Sequence, residues 1–245
     1  MDLGSHPPQQ ARSRRTLERL LAATVAVMEE EGLAGVTIPV VAARAGMATG
    51  SIYRRFVDKD ALIRAAFLRL LEASLTVNRE NLKPERFAGM SMERTSRALC
   101  RGLVRQFKSY PKLLKALDQF LESQTDAAFR EQAVSMVADN TRRAVELLLP
   151  FRDRIGSDDP ERAITFALLS AITVIETYAL HSAAVWTRML PLDDEALAVE
   201  AARAMSAYLA SPEPDVPHDQ PRPQSGAPAP GQISPAHALI SSSRT

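Results

Sequence analysis

The sequence predicts an all-α fold, with a small three-helix N-terminal unit built around a helix-turn-helix and a larger helical domain behind it. Three observations carry this. Apolar residues make up 46% of the 245 residues but aromatics only 5%, and the apolar set is mostly Ala and Leu, which favour helix over sheet. Apolar side chains recur at three- and four-residue spacing, and no run alternates β-branched with polar residues as a strand would. Between Thr37 and Leu62, two short helices, a tight turn and the start of a third helix fit into fewer than thirty residues.

Taken in order, residues 1–11 are polar and Pro-bearing and read as a disordered arm. Helix one spans Ser13 to Glu31, with Leu17, Leu20, Leu21, Thr24, Val25 and Met28 on one stripe, and Gly32 ends it. Arg12, Arg14 and Arg15 precede or open this helix, either as a solvated end or as an arm touching phosphates. Thr37 is a natural N-cap for the next helix, and Pro39 falls in its first turn, where a missing N–H costs nothing. Val41, Ala42 and Ala45 give that helix an apolar face before Gly46 breaks it; glycine takes a left-handed conformation cheaply, so a sharp turn belongs there. Thr49 to Phe56 forms the second short helix, with Ile52 and Phe56 facing inward. Thr49, Gly50, Ser51, Tyr53, Arg54 and Arg55 share its outer and flanking faces. Asp58 caps a long helix from Lys59 to about Leu82. Its two adjoining stripes, Leu62, Ala66, Leu70 and Ile63, Phe67, Leu71, Leu75, call for partners on two sides.

A helix, a turn and a small polar second helix bearing arginines is how proteins enter a DNA major groove. Thr37, Val41-Ala42, Ala45-Gly46-Met47-Ala48, Gly50-Ser51-Ile52-Tyr53-Arg54-Arg55-Phe56, and Lys59 with Leu62 follow one another without a gap. This stretch, about a fifth of the chain, resembles the N-terminal domain of the TetR family of transcriptional regulators. Two positions depart from that family's pattern. Ala48 stands where a capping Ser is usual, which leaves Thr49 to cap or the helix to start less firmly. Arg55 replaces the common His and adds a permanent charge. The resemblance implies that Tyr53, Lys59 and Thr37 hold phosphates and fix register. It puts Thr49, Ser51, Arg54 and Arg55 nearest base edges, with Gly50 letting the backbone approach the groove and Arg14 and Arg15 adding charge nearby.

Beyond the long helix, Pro84 and Gly89 mark a loop. Helices follow over about Met92 to Tyr110, Lys112 to Ser123, from Asp126 to Pro150, Glu161 to about Thr187, and after a break at residues 191–194. The last carries Leu197, Ala201, Met205 and Tyr208 on one stripe. The helix from Glu161 holds the most apolar run, but Thr165, Ser170, Thr173, Glu176, Thr177 and His181 interrupt it, so it is not expected to span a membrane. Glu176 and His181 lie about 140° apart round the helix axis and cannot act as a pair. A carboxylate at Glu176 on a buried face needs a partner, an Arg across a dimer or a cationic ligand. Phe120, Phe166 and Tyr178, with Trp186, are expected either in the core or as the wall of a ligand pocket with Glu176. From Ser211 on, the sequence is rich in Pro, Ser, Ala and Gln and reads as a disordered tail.

Composition excludes several classes. Net charge is +1, and residues 1–60 hold eight basic side chains against seven acidic ones. Any nucleic-acid footprint must therefore come from segregation of charge rather than excess. One cysteine, Cys100, rules out a disulfide framework or thiolate metal cluster. The N-terminus lacks the apolar stretch of a signal peptide, so a cytoplasmic location is expected. No glycine-rich phosphate loop, nucleophile elbow or zinc-helix motif occurs, and no catalytic residues, metal or cofactor are expected. The domain plan that results is an arm over 1–11, a helix-turn-helix domain over 12–58, a connecting helix over 59–82, a regulatory and dimerisation domain over 83–210 and a tail over 211–245. The resemblance implies a dimeric repressor that binds double-stranded operator DNA and is released by an unknown small-molecule ligand. The alternative is a helical enzyme or a protein–protein adaptor carrying an inactive DNA-binding unit.

Overall fold

The computed structural model describes residues 7–181 and 184–212. Among them are ten α-helices and no strand: α1 Pro7–Gly35, α2 Ile38–Ala45, α3 Thr49–Tyr53, α4 Lys59–Asn81, α5 Met92–Ser109, α6 Pro111–Ser123, α7 Ala127–Glu146, α8 Pro160–Leu180, α9 Ala184–Met189 and α10 Asp194–Ala210. The proposed tail lies outside the described residues from position 213 onward. At the other end, α1 begins at Pro7, so residues 7–11 are helical rather than part of an arm.

The helix starts are written in local chemistry. Side chains of Thr37, Asp58, Ser91, Asp126, Asp159 and Asp193 each accept a hydrogen bond from a backbone N–H in the first turn they precede. Such a bond satisfies one of the donors a helix start leaves open. Pro39, Pro111 and Pro160 occupy first-turn positions where no N–H is needed. α1 loses helical geometry at Gly32, with φ 73°.

α1 packs on α6, α4 and α2, burying Leu20, Val27 and Met28. α4 lies between α1 and α7, with Leu62, Ile63, Ala66, Phe67 and Leu71 buried. α5 packs on α10 and α8, and Arg101, midway along α5, pairs with Glu195 in the first turn of α10. Phe67, Phe129 and Phe120 form an edge-to-face chain, with ring centroids 5.5 Å and 6.0 Å apart, inside the α4–α6–α7 core.

α8 is shorter than expected. α8 stops at Leu180, where His181 is extended (φ −104°, ψ 101°), and α9 is a separate helix. Tyr178 supplies the physical reason. Its hydroxyl lies 3.2 Å from Leu190 O and 3.0 Å from Leu192 O and accepts from Leu192 N at 2.6 Å. The chain after α9 is thus drawn back onto α8, which a continuous helix would prevent. By length and composition α8 could cross a membrane, but it packs against α5, α10 and α7.

Cys100 is fully buried, and burial pushes its thiol up to about 12 because the thiolate loses its hydration. A disulfide exchange reagent at pH 8 is expected to leave Cys100 unmodified in the folded protein and to titrate it fully in denaturant; rapid native reaction would contradict its burial. Tyr178→Phe removes the hydroxyl that ties α8 to residues 190–192. It is expected to cost about 1–3 kcal/mol in urea unfolding, since the backbone groups it serves are partly buried.

Candidate DNA-reading surface

The surface is built from the turn between α2 and α3. Thr37 Oγ1 accepts from Val40 N at 3.3 Å and fixes the start of α2. At its other end Gly46 is left-handed (φ 61°, ψ 44°), and its N–H reaches the carbonyls of Ala42 and Ala43. Met47 N returns to Ala42 O at 2.9 Å. Together these close the carbonyl end of α2 and aim the chain sharply into α3.

Ala48 is the N-cap of α3 with no side-chain hydrogen bond, and Thr49 is already the first helical residue, so Thr49 does not cap. α3 is also shorter than Thr49 to Phe56. It ends at Tyr53, after which Arg55 N and Phe56 N both bond Ile52 O, at 2.8 Å and 3.0 Å. The chain tightens there because Phe56 turns toward the core and Asp58 must cap α4, which it does through Ala61 N at 2.7 Å.

Ile52 is fully buried and anchors α3 on the domain. Its other side chains face out: Thr49, Gly50, Arg54 and Arg55 are exposed, Ser51 is half-buried and Tyr53 is 59% exposed. A methyl group added at Gly50 would meet nothing within 4 Å, so the domain itself does not require glycine here. Arg54 Nη2 donates to Ser51 Oγ at 2.9 Å, which lays the guanidinium along the helix. Lys59 is exposed at the first turn of α4, and Thr37 is exposed while its hydroxyl oxygen caps α2.

Arg55 has a contact that sequence spacing could not reveal: its Nη2 donates to Ser13 Oγ at 3.0 Å, 42 positions away. The first turns of α1, with exposed Arg12, Arg14 and Arg15, are thereby brought beside the end of α3. These arginines sit on a helix, not on a flexible arm.

Two acidic groups of α1 are neutralised by arginines of other helices. Glu18 accepts from Arg69 Nε at 2.9 Å, and Glu30 pairs with Arg44 of α2. The hydrogen bond from Arg44 holds the Glu30 carboxyl below the usual carboxylate range. Lys112 Nζ of α6 donates to Glu30 O at 3.0 Å. The acidic run at the end of α1, unfavourable to the helix dipole on its own, thus meets cations from two other helices.

The four residues proposed for a ligand pocket do not share one wall. Phe120 is in the core against Phe129, and Tyr178 stacks edge-on with Trp186 at 6.1 Å. Glu176 is buried. Phe166 is 58% exposed, beside the 47% exposed Tyr208 at a centroid distance of 5.3 Å. Tyr208 lies on the same face as Leu197, Ala201 and Met205, as its stripe predicts, but at the exposed edge of that face. Phe166, Tyr208, Trp186 and Leu190 line an apolar cleft of about 370 Å³ between α8, α9 and α10. Among the described residues no group of three or more His, Cys, Asp or Glu side chains stands where it could hold a metal ion.

Comparison with known proteins accords with this geometry. Residues 20–66 match the family described as bacterial regulatory proteins, tetR family. The chain is similar to the HTH-type transcriptional repressor DrrR1 of Streptomyces coeruleorubidus, 25% identical over 182 residues, or 74% of this chain, and spans 57% of that protein's length. Its fold is similar to a crystal structure assigned to the TetR family from Mesorhizobium loti MAFF303099, with TM-score 0.60 and 19% identity over 81% of this chain and 97% of that one. It is also similar to NalD, the secondary repressor of the MexAB-OprM multidrug efflux pump in Pseudomonas aeruginosa, with TM-score 0.56 and 22% identity over 81% of this chain and 98% of that one. Residues 20–66 thus match the tetR family of bacterial regulatory proteins, and the described chain has an all-helical fold similar to that of solved TetR-family regulators.

Proposed function

We propose that this chain is a DNA-binding transcriptional regulator acting as a dimeric repressor, with α3 as its reading helix. The observation that carries this is the exposure of Thr49, Gly50, Tyr53 and Arg54 on a short helix anchored by buried Ile52. Tyr53, Lys59 and Thr37 would hold phosphates, while Thr49, Ser51 and Arg54 would reach base edges. Arg55, tied to Ser13, would serve the backbone together with Arg14 and Arg15. The resemblance to a repressor named DrrR1 supports the same class of activity.

The exposed apolar set Phe166, Leu169, Leu190 and Tyr208 on α8, the segment after α9, and α10 supports a second copy seated across this face. Two copies would hold their reading helices about 34–36 Å apart on a palindromic site. A small molecule bound in the helical body would release the DNA by favouring another spacing. The compartment is then the cytoplasm, where the DNA lies.

The test is gel retardation of the DNA immediately upstream of the chain's own gene, with size-exclusion for the oligomer. A retarded band and a dimer are expected; a monomer that leaves the DNA unshifted would overturn the reading. Tyr53→Ala is expected to weaken binding by about 1–3 kcal/mol across operator sequences alike, because a phosphate contact carries no base preference. Gly50→Ala separates fold from function. Its stability in urea should stay level or rise by up to ~1 kcal/mol, since Gly is a poor helix former and the added methyl meets no protein atom. Its DNA affinity should fall by ~1–3 kcal/mol as the methyl holds the backbone off the groove.

A further inference from the structure

Contacts between α4 and α7 recur at one constant separation in sequence. Arg64 Nε faces Asp126 Oδ2 at 3.6 Å, Phe67 meets Phe129 edge-on at 5.5 Å, and Asn78 Nδ2 donates to Asn140 Oδ1 at 2.9 Å. The last pair is 62 positions apart, and the other two have the same offset. The offset also carries Leu71 to Ala133 and Ser74 to Met136, all four inward-facing. Along α4 the set 64, 67, 71, 74, 78 alternates steps of three and four, and so does its image along α7. That is the seam of a parallel coiled coil. A constant offset over 14 residues, about 21 Å of helix, requires the two helices to run parallel with no slip between them.

The seam is apolar in its middle and polar at both ends. Asp126 uses Oδ1 to cap α7 through Phe129 N at 3.0 Å while Oδ2 faces Arg64, and Arg64 Nη1 also donates to Gln124 Oε1 at 3.0 Å. Arg64 is therefore tied to the very start of α7. At the far end Asn78 and Asn140 are both fully buried. An amide pair inside an apolar seam fixes register, because sliding by one turn would leave both amides facing hydrocarbon.

We propose that α4 and α7 form one in-register body, pinned by Arg64–Asp126 and Asn78–Asn140, so that α4 cannot move on α7 and any displacement of α4 carries α7 with it. The regulatory consequence rests on the reading of the chain as a DNA-binding regulator: a signal to the reading helix would pass as movement of the pair, and α7 would be the element a ligand has to move.

Hydrogen exchange on the full chain without DNA tests this. Asn140→Ala alters α7 alone, yet amides over residues 66–78 of α4 and 128–140 of α7 are expected to exchange faster by the same factor, about tenfold. Acceleration confined to α7, or spread equally over α5 and α10, overturns the proposal. Should Asn140→Ala fail to fold, Arg64→Gln at the half-exposed end takes its place. It is expected to speed exchange in the first turns of both helices, and an effect limited to α4 is the overturning result. Retardation of the upstream DNA by the unaltered chain is scored separately. Its absence defeats the functional reading while the exchange pattern still decides whether the two helices move together.

Discussion

The structure depends on α4 being buried on two sides at once. Its 23 residues make a rod about 35 Å long, and no single small domain could cover it. One side packs on α1 of the N-terminal unit and the other on α7 of the body. A helix shared in this way cannot change its tilt without disturbing both cores, and cores packed at crystal density shift between discrete arrangements rather than deform smoothly. This is why the three-helix unit and the helical body can lie apart and still be mechanically joined. Within the three-helix unit the Gly46 turn and buried Ile52 set the direction of α3, and the unit meets α4 through α1.

Electrostatics at the N-terminal unit follow the same economy. The molecule is nearly neutral, so a basic surface arises only where acids are consumed elsewhere. Glu18 and Glu30 are each satisfied by an arginine of a neighbouring helix, which also ties α1 to α4 and α2. Arg14, Arg15, Arg54 and Lys59 stay exposed and outside these pairs. Since exposed ion pairs stabilise little, their main effect is on where charge remains rather than on how firmly the unit holds.

Much of this was legible in the sequence because it is local. Thr37 as a cap, Gly46 as a left-handed turn, Ile52 as the inward residue of α3 and Asp58 as the cap of α4 all depend on neighbours within four positions. What was not legible depends on distant partners or on competition between them. Nothing near His181 announces the end of α8; the break comes from a tyrosine hydroxyl three residues earlier catching the chain after α9. Composition suggested one aromatic pocket wall, yet Phe120, Phe166 and Tyr178 face three different neighbourhoods. The periodicity of α10 put Tyr208 on one stripe with Met205 but could not say that its ring would meet Phe166 of α8. The α4–α7 seam was written in both helices, but only the coordinates reveal that the two stripes share an offset.

The contact between Ser13 and Arg55 bears on how the protein is handled. The start of α1 is docked beside the exposed face of α3 rather than trailing away from it, so any polypeptide appended ahead of Pro7 begins within reach of that face. An acidic affinity tag placed there becomes a competitor for the same arginines, and such a handle belongs at the opposite terminus.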